Sequence, residues 1–235
     1  METSLAAKSQ AFLDYLDQWI AALPNLAISA AAKSPQRTAI LSVDVIEGFC
    51  HSGPLASPRV AGIVKPIVQL FELAWGHAVR HIILSQDTHD PEAVEFGAWP
   101  PHCIRATPEA ETVAAFKHVS FFDQMLVMEK NSISSGLNTG LSDWIAQHPE
   151  VDTFIVVGDC TDLCTYQLAM HLRMDANARQ LKRRVIVPAN AVDTYDRSVE
   201  TAQEQGGLPH NGDLLHAVFL YHMALNDIEV VRAII

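Results

Sequence analysis

The sequence predicts an α/β protein of three layers, α/β/α, in which a mainly parallel central sheet lies between two layers of helices. Short apolar runs rich in branched side chains alternate along the chain with longer segments of helical periodicity. No Asn-Gly or Asp-Gly pair separates two strand-like runs, so hairpins between neighbouring antiparallel strands are not expected. Alternating strands and helices without hairpins favour parallel pairing, because each helix carries the chain back across the sheet.

The first element in chain order is an amphipathic helix over residues 10–23. Its large apolar side chains recur at helical spacing on one face, and Pro24 ends it. Such a face needs a partner to cover it. We therefore expect residues 1–36 to form an N-terminal helical extension that packs on a single main domain, residues 37–235.

Apolar runs then predict the strands of the sheet. The first two strong runs each end in a carboxylate, Asp44 and Asp87. In parallel α/β sheets, ligands bind beyond the carboxyl ends of the strands, so polar residues at these ends are candidates for function. The four strong runs are residues 38–44, 81–87, 153–158 and 184–188, and the two weaker ones are residues 126–128 and 228–232.

Helical patterns fill the intervals between these runs. They are long enough to cross back over the sheet, as parallel pairing requires. We expect them to cover both of its faces. The patterns lie at residues 59–79, 141–147, 161–178 and 212–225.

The composition is that of a globular chain. Of 235 residues, 49% are hydrophobic and 18% charged, which excludes intrinsic disorder. The net charge of −11 repels nucleic acid, and the only tight basic cluster is residues 182–184. No apolar stretch is long enough to span a membrane, and the N-terminus lacks the pattern of a signal peptide. Four scattered cysteines suit a reducing compartment, so we expect a cytoplasmic protein without nucleic-acid or membrane partners.

The segment from Gly158 to Cys164 lies between a predicted strand and a predicted helix. Thr161 or Asp162 can cap that helix, whose first turn offers free N–H groups and a positive dipole end. A thiolate at Cys164 would be stabilised there, and the N–H groups could hold an oxyanion. The alternative is that Cys160 and Cys164 are small core residues, which is the usual role of a buried cysteine.

Asp44 and Lys130 follow two other predicted strands. Taken singly, Asp44 can be a capping residue and Lys130 a surface lysine. Together with Cys164 they place a base, a cation and a thiol at one edge of the sheet. Such a set can supply a nucleophile, a proton shuttle and electrostatic support.

A second constellation follows the strand that ends at Asp87. Asp87 and His89 are two residues apart and so leave the strand on one side. Glu95 and His102 lie in the next loop and can complete a site of mixed oxygen and nitrogen ligands, which suits zinc, iron or manganese. The alternative is a polar loop with one Asp–His hydrogen bond.

These residues resemble the isochorismatase-like cysteine hydrolases, and within them the nicotinamidase/pyrazinamidase branch. The similarity runs from about residue 39 to residue 187. The segment 158–164 is similar to the family's nucleophile turn, and Lys130 matches its catalytic lysine. The resemblance implies the isochorismatase-like hydrolase fold and makes residues 37–235 a single cysteine hydrolase domain.

Two further motifs resemble this family. Residues 43–49 are similar to its first-strand motif, although Ile, Glu and Gly at positions 46–48 replace the more usual Gln, Asn and Asp. Residues 87–103 resemble the metal motif of the nicotinamidase branch, with Glu95 where many members have a second loop histidine.

The resemblance implies hydrolysis of nicotinamide to nicotinate and ammonia through a thioester. Asp44 would act as base, Cys164 as nucleophile and Lys130 as electrostatic support. Backbone N–H groups of Cys160 and Cys164 would hold the oxyanion. The family also implies a cis peptide bond between Asp159 and Cys160.

The resemblance also implies a divalent metal ion. We expect zinc, with iron or manganese as alternatives. The ion would bind the pyridine nitrogen and orient the ring between Phe49 and Trp99. We also expect a homo-oligomer that acts on a small amide. The implied metal ligands are Asp87, His89, Glu95 and His102.

Three other functions stay open from the sequence. The first is a cysteine hydrolase of the same family that acts on another small amide or carbamoyl compound, for which the changes at residues 46–48 leave room. The second is a metallohydrolase whose nucleophile is water on the metal. The third is a catalytically silent interaction protein on the same fold.

Overall fold

Parallel strands form the main sheet of the protein, which we describe from a computed structural model covering residues 4–235. The strands in these residues are β1 (Asn25–Leu26), β2 (Thr38–Val43), β3 (His81–Asp87), β4 (Leu126–Lys130), β5 (Thr153–Gly158), β6 (Arg184–Pro188), β7 (Glu229–Val231) and β8 (Ala233–Ile234). The helices are α1 (Leu5–Ala21), α2 (Ile28–Ala31), α3 (Glu47–Cys50), α4 (Pro58–Gly76), α5 (Ala114–Lys117), α6 (Leu141–Gln147), α7 (Cys164–Ala178), α8 (Val199–Gln205) and α9 (Gly212–Leu225).

The order of strands across the main sheet is β4-β3-β2-β5-β6-β7, and every neighbouring pair is parallel. The chain leaves β2 toward β3 and β4, then returns to the other side of β2 with β5. This reversal opens a crevice at the carboxyl ends of β2 and β5, where sheets of this kind bind ligands. The predicted α/β/α fold with a mainly parallel sheet is confirmed.

The core lies on both faces of this sheet. Strand β2 is buried at all six positions, so its alternate side chains enter two different apolar layers. On one side, Ile40 belongs to the same apolar cluster as Ile67 of α4. On the other, Leu41 belongs to the cluster that includes Leu168 of α7 and Leu220 of α9. The helices on the two faces thus hold the strand ends in fixed positions.

Two of the helices predicted between the strands have wrong boundaries, each for a local reason. The helix predicted over 161–178 begins only at Cys164, because Leu163 has a non-helical backbone with φ −118° and ψ −104°. The helix predicted over 59–79 is α4, which ends three residues early, before Ala78 takes a φ of +68°. None of the helices formed by residues 4–235 combines the length and apolar character needed to cross a lipid bilayer.

The strand predictions also need correction at their ends. Strand β2 ends one residue before Asp44, which has a φ of +57° and so cannot continue an extended strand. Strand β4 extends beyond the predicted residues 126–128 to Lys130. The weak run at 228–232 contains β7, while the two-residue strands β1 and β8 were not predicted and pair in parallel with each other.

The N-terminal segment lies against the main sheet's helical layer. Helix α1 begins earlier than the predicted range 10–23, with the side chain of Ser4 accepting the N–H of Ala7 at 3.3 Å. Its aromatic side chains surround Tyr221 of α9, with ring centroids 5.3 Å away at Trp19 and 5.4 Å away at Phe12. This contact covers part of the apolar face that the sequence predicted, while Phe12 remains 42% exposed.

Candidate active site

Three chemically competent side chains meet beyond the carboxyl ends of the central strands. Asp44 follows β2, Lys130 ends β4 and Cys164 begins α7, and all three are buried. The Lys130 ammonium nitrogen lies 2.8 Å from Asp44 Oδ2 and 3.8 Å from Cys164 Sγ. The structure therefore brings together the carboxylate, the ammonium group and the thiol that the sequence singled out, and their catalytic roles stay predictions.

The backbone around Asp44 turns its carboxylate into the crevice. Its Oδ1 accepts the backbone N–H of Asp87 at 2.8 Å, which ties the end of β2 to the end of β3. Burial raises the pKa of Asp44 to about 7, and the neighbouring charge of Asp87 acts in the same direction, while Lys130 opposes them. A carboxylate with this pKa can both accept and return a proton near neutral pH.

Lys130 is shared between two carboxylates. Its Nζ also lies 2.5 Å from Asp87 Oδ1 and donates to the carbonyl oxygen of Ser132 at 3.0 Å. Burial alone would lower the pKa of Lys130, but the charges of Asp44 and Asp87 raise it well above its usual value. The side chain therefore remains an ammonium ion, as electrostatic support of the site requires.

Cys164 differs from the sequence expectation in its acidity. Burial raises the pKa of its thiol well above the usual value, although the Lys130 charge lowers it. The expectation of a stabilised thiolate is therefore wrong for the free site, because the loss of solvation outweighs the nearby cation. A thiol in this state needs a neighbouring base to take its proton, and Asp44 is placed to do so.

The turn before Cys164 is built by a close approach of two strands. Gly158 has a φ of +114°, and a Cβ on it would lie 2.0 Å from the carbonyl oxygen of Val43. The next N–H, that of Asp159, donates to the same carbonyl at 3.0 Å. The peptide bond between Asp159 and Cys160 is cis, as the resemblance implied.

Two N–H groups of this turn are available to a ligand. Within residues 4–235, the N–H groups of Cys160 and Cys164 make no hydrogen bond to a protein atom. By contrast, the carbonyl of Cys160 accepts the N–H groups of Leu163 and Thr165 at 3.0 and 3.2 Å. Free N–H groups beside a nucleophile are the donors that an oxyanion requires.

We expect Gly158→Ala to destabilise the fold by about 3 kcal/mol, since it combines overpacking with a backbone that alanine rarely adopts. Urea denaturation would measure the change in the free energy of unfolding. Gly62→Ala in α4 is the matched control, because a Cβ there has nothing within 4 Å and favours the helix. Equal stability of the two variants would contradict the packing argument.

The sequence analysis did not predict a polar network that contacts the turn before Cys164. Thr161 Oγ1 lies 2.9 Å from His216 Nδ1, and Asp162 Oδ2 lies 2.7 Å from His210 Nε2. The ring of His210 stacks on Tyr195 with centroids 3.8 Å apart. No local motif marks these histidines, because they reach the turn only through the packing of a segment about fifty residues away.

Asp87, His89 and His102 form a second, adjoining cluster. All three are buried, and one ligand atom from each lies within 4.8 Å of the others. His89 Nδ1 lies 3.0 Å from Asn131 Oδ1, and His102 Nδ1 lies 2.8 Å from the carbonyl of Pro100. These contacts hold Nδ1–H as the donor and leave each Nε2 with its lone pair.

Both free Nε2 atoms face the same carboxylate. Asp87 Oδ2 lies 3.5 Å from Nε2 of His89 and 4.0 Å from Nε2 of His102. The His89 Nε2 is buried and makes no hydrogen bond within the described residues. Two imidazoles and one carboxylate thus face a shared point, and hydrogen bonds orient both imidazoles. This arrangement fits a divalent metal ion.

Glu95 is not part of this cluster of three. It lies in the short 3₁₀ turn Val94–Gly97, and its Oε2 accepts the N–H of Ile133 at 3.2 Å. Its role as a fourth ligand stays a prediction. The sequence analysis did not identify Asn131, which orients His89. A residue that contacts a candidate ligand, rather than the metal itself, carries no motif of its own.

Aromatic rings surround the histidine pair. Phe49 contacts His102 edge-on with centroids 5.5 Å apart, and its role as a wall of a substrate pocket stays a prediction. Phe96, which the sequence did not single out, lies 5.3 Å from the ring of His89. Trp99 is half-buried and contacts Tyr195, with ring centroids 6.3 Å apart, and its role in substrate binding stays a prediction.

Comparison with known proteins is consistent with this geometry. Residues 38–205 match the model of the Isochorismatase domain family. The chain is similar to Nicotinamidase 1 of Arabidopsis thaliana, at 29% identity over 83% of this chain and 85% of that one. It is also similar to the nicotinamidase/pyrazinamidase of Mycobacterium tuberculosis, at 28% identity over 71% of this chain and 92% of the other.

A solved structure shares the fold at lower identity. The pyrazinamidase of Pyrococcus horikoshii in complex with zinc superposes with a TM-score of 0.64 and 19% identity. The match covers 83% of this chain and 99% of that one. It shows that the sheet and its flanking helices follow a known arrangement.

Proposed function

The chain belongs to the isochorismatase domain family, and from this premise we propose that it hydrolyses nicotinamide to nicotinate and ammonia. The observation that carries the proposal is the contact of the Lys130 ammonium with both Asp44 and Cys164 in a buried site. The similarity to two nicotinamidases over most of the chain supports the substrate. The reaction is the cleavage of an amide C–N bond through a thioester.

The reaction begins with a proton transfer from Cys164 to Asp44. The thiolate sulfur attacks the amide carbonyl carbon, and the electron pair of the carbonyl moves to oxygen. Asp44 then passes its proton to the amide nitrogen as the C–N bond breaks and ammonia leaves. Asp44 then takes a proton from water as the water oxygen attacks the thioester carbonyl carbon. The C–S bond breaks, Asp44 returns its proton to the sulfur of Cys164, and the carboxylic acid product loses its own proton to the released ammonia or to solvent.

The negative charge that develops on the carbonyl oxygen needs donors placed in advance. We assign this role to the N–H groups of Cys160 and Cys164, which bind no other protein atom in residues 4–235. Lys130 stabilises the ionised form of Asp44. Its positive charge also stabilises the negative charge that develops during the reaction. Because it is buried between fixed partners, it needs little reorganisation during the reaction.

We further propose that Asp87, His89 and His102 hold a divalent metal ion, zinc being the first choice for one carboxylate and two imidazoles. When bound, the ion supplies a Lewis-acidic contact for the ring nitrogen of the substrate. Phe49 and Trp99 then position the ring from its sides. Glu95 is proposed as a further ligand, for which its carboxylate would have to leave its contact with the chain.

The metal proposal predicts a loss of affinity in His102→Ala. We expect the dissociation constant for zinc to rise by about 100-fold or more, because a direct ligand contributes at least as much as an outer contact. Isothermal titration and metal analysis of the purified protein would measure this. Replacing the exposed His118 with alanine is the control, and unchanged zinc binding in His102→Ala would remove the cluster as the site.

The substrate is tested by ammonia release from purified protein. Nicotinamide is compared with other small amides and with carbamoyl compounds at equal concentration. A clear preference for nicotinamide supports the proposal, whereas turnover confined to a carbamoyl compound would move the chain to another branch of the family. The expected homo-oligomer and cytoplasmic location stay predictions, checked by light scattering and by cell fractionation.

A further inference from the structure

A cavity of about 730 Å³ opens at the edge of the sheet opposite the candidate active site. Two of its lining residues, Arg184 and Glu229, are the first residues of β6 and β7. The candidate active site lies instead at the carboxyl ends of the parallel strands. The volume falls within the range of small-molecule sites, about 300–1,000 Å³. The proposed hydrolysis assigns no role to this cavity.

Basic side chains dominate the lining of the cavity. They include the run at residues 182–184, the only tight basic cluster of the sequence. Four lining residues are cationic and two are anionic, although the whole chain has a net charge of −11. The chain has 16 lysines and arginines in all, so a quarter of them meet here. Like charges repel one another, and such a concentration suits an anion.

One of these cations is fully used by the fold. The Nε and Nη2 of Arg184 donate to the two carboxylate oxygens of Glu229 at 2.7 and 3.0 Å. Its Nη1 donates to the carbonyl oxygens of Ala30 and Ala31 at 2.7 and 3.0 Å. The charges of Arg184 and Glu229 therefore offset each other, and an anion would be left to the other three cations.

Two buried arginines of the lining keep free donors. Arg173 and Arg183 are each 6% exposed, and each is anchored through Nη1. The Nη1 of Arg173 donates to the carbonyl of Arg183 at 2.7 Å, and that of Arg183 donates to Asp175 at 2.9 Å. Within residues 4–235, neither Nη2 makes a hydrogen bond, and neither is among the fully enclosed polar atoms without a partner. Each guanidinium is therefore fixed on one side and available to a ligand on the other.

The remaining lining residues add a third cation and two other kinds of surface. Lys182 is exposed, and the ion pairs of this region involve the three arginines rather than its ammonium group. The carboxylate of Asp227 is 91% exposed and lies 3.4 Å from Nη1 of Arg173. It can accept hydrogen bonds from hydroxyl groups of a ligand. Leu181 and Ala224 supply apolar surface beside the cations.

We propose that this cavity is a second binding site, which takes a small organic phosphate monoester. Two guanidinium arms and one ammonium group match the several oxygens and the nearly double charge of a phosphate better than they match a single carboxylate. The organic part would lie against the apolar surface, with its hydroxyl groups toward Asp227. The site does not depend on the proposed hydrolysis, because it shares none of the residues assigned to that reaction.

Equilibrium dialysis of radiolabelled ribose 5-phosphate at low salt tests the proposal. We expect saturable binding of one equivalent per chain, in competition with adenosine 5′-monophosphate but not with adenosine. Lys182→Glu changes an exposed residue and should raise the dissociation constant by about tenfold or more. Lys65→Glu is the control, because it makes the same change of charge at an exposed position of α4, on the other face of the sheet. Its dissociation constant should stay near the wild-type value.

Several outcomes would overturn the second site. These are the absence of saturable binding of either ester at millimolar concentration, and equal weakening in both variants, which would show an effect of net charge alone. Displacement by nicotinate would place the probe in the catalytic crevice instead. Inorganic phosphate that competes as strongly as the esters would remove the role of the apolar surface. Binding of a polyglutamate peptide but of no phosphate ester would make this face a protein contact.

Ammonia release from nicotinamide, measured on the same preparations, keeps this proposal separate from the proposed function. Both lysine variants should retain wild-type kcat, since neither residue contacts the candidate active site. A protein that hydrolyses nicotinamide but binds no ester loses only the second site. A protein that binds the ester through Lys182 but hydrolyses no amide keeps the second site and loses the proposed function.

Discussion

Cys164→Ala is expected to lower kcat for amide hydrolysis by about 10⁴-fold or more, because no other group can form the thioester. Acid quenching during turnover of nicotinamide, followed by peptide mass spectrometry, should find the acyl group on the peptide that contains Cys164 in the wild-type protein only. Cys164→Ser should also be severely impaired. Its hydroxyl is far harder to deprotonate than a thiol, and Asp44 is too weak a base to compensate.

The matched control is another buried thiol. Cys50→Ala removes a cysteine of similar exposure from α3, where no reacting group depends on its sulfur. Its kcat should stay near the wild-type value. Retained hydrolysis in Cys164→Ala, with an intact fold by circular dichroism, would end the nucleophile assignment. It would favour a metal-activated water instead, and chelation of the metal would then abolish the reaction.

Asp44→Asn should reduce kcat by about 100-fold or more, since general-base transfer is lost while size and shape are kept. The amide oxygen can still accept the N–H of Asp87, so the ends of β2 and β3 stay joined. Formation and hydrolysis of the acyl-enzyme should both slow. Asp44 takes the proton of the thiol, gives a proton to the leaving nitrogen and deprotonates the attacking water. Single-turnover measurement of acyl-enzyme formation and decay would show this directly.

Exposed Asp123 provides the control for the same chemical change. Asp123→Asn should leave both steps and the free energy of unfolding unaltered. An Asp44→Asn variant that folds and keeps its kcat within a factor of a few would remove Asp44 from the mechanism. If only the decay of the acyl-enzyme slowed, another base would have to take the proton of Cys164.

Much of the sheet could be predicted because buried parallel strands have continuous apolar runs. The ranges predicted for β3, β5 and β6 agree with the structure, as do those for α6 and α9. The end of β2 and the start of α7 could not be predicted from apolar character. Both depend on unusual backbone angles at Asp44 and Leu163, which the requirements of the site set rather than local propensity.

Some features of the candidate site could likewise be predicted from the sequence, and others could not. Asp44, Lys130 and Cys164 could be found because parallel strands bring their carboxyl ends to one edge. The acidity of Cys164 could not, since it depends on how completely the folded chain excludes water from the thiol. His210 was missed for a related reason, as its contact with the nucleophile turn joins segments distant in sequence.

The pairing of β1 with β8 has a consequence for the order in which the chain folds. It joins residues close to opposite ends of the chain, Asn25 with Ala233 and Leu26 with Ile234. Closing so long a loop carries a high entropic cost, which is repaid only when most of the intervening contacts exist. We therefore expect the N-terminal segment to dock as a late step, onto a sheet that has already assembled. Its release is correspondingly the first opening expected when the protein is stressed, and the catalytic crevice lies on strands that form earlier.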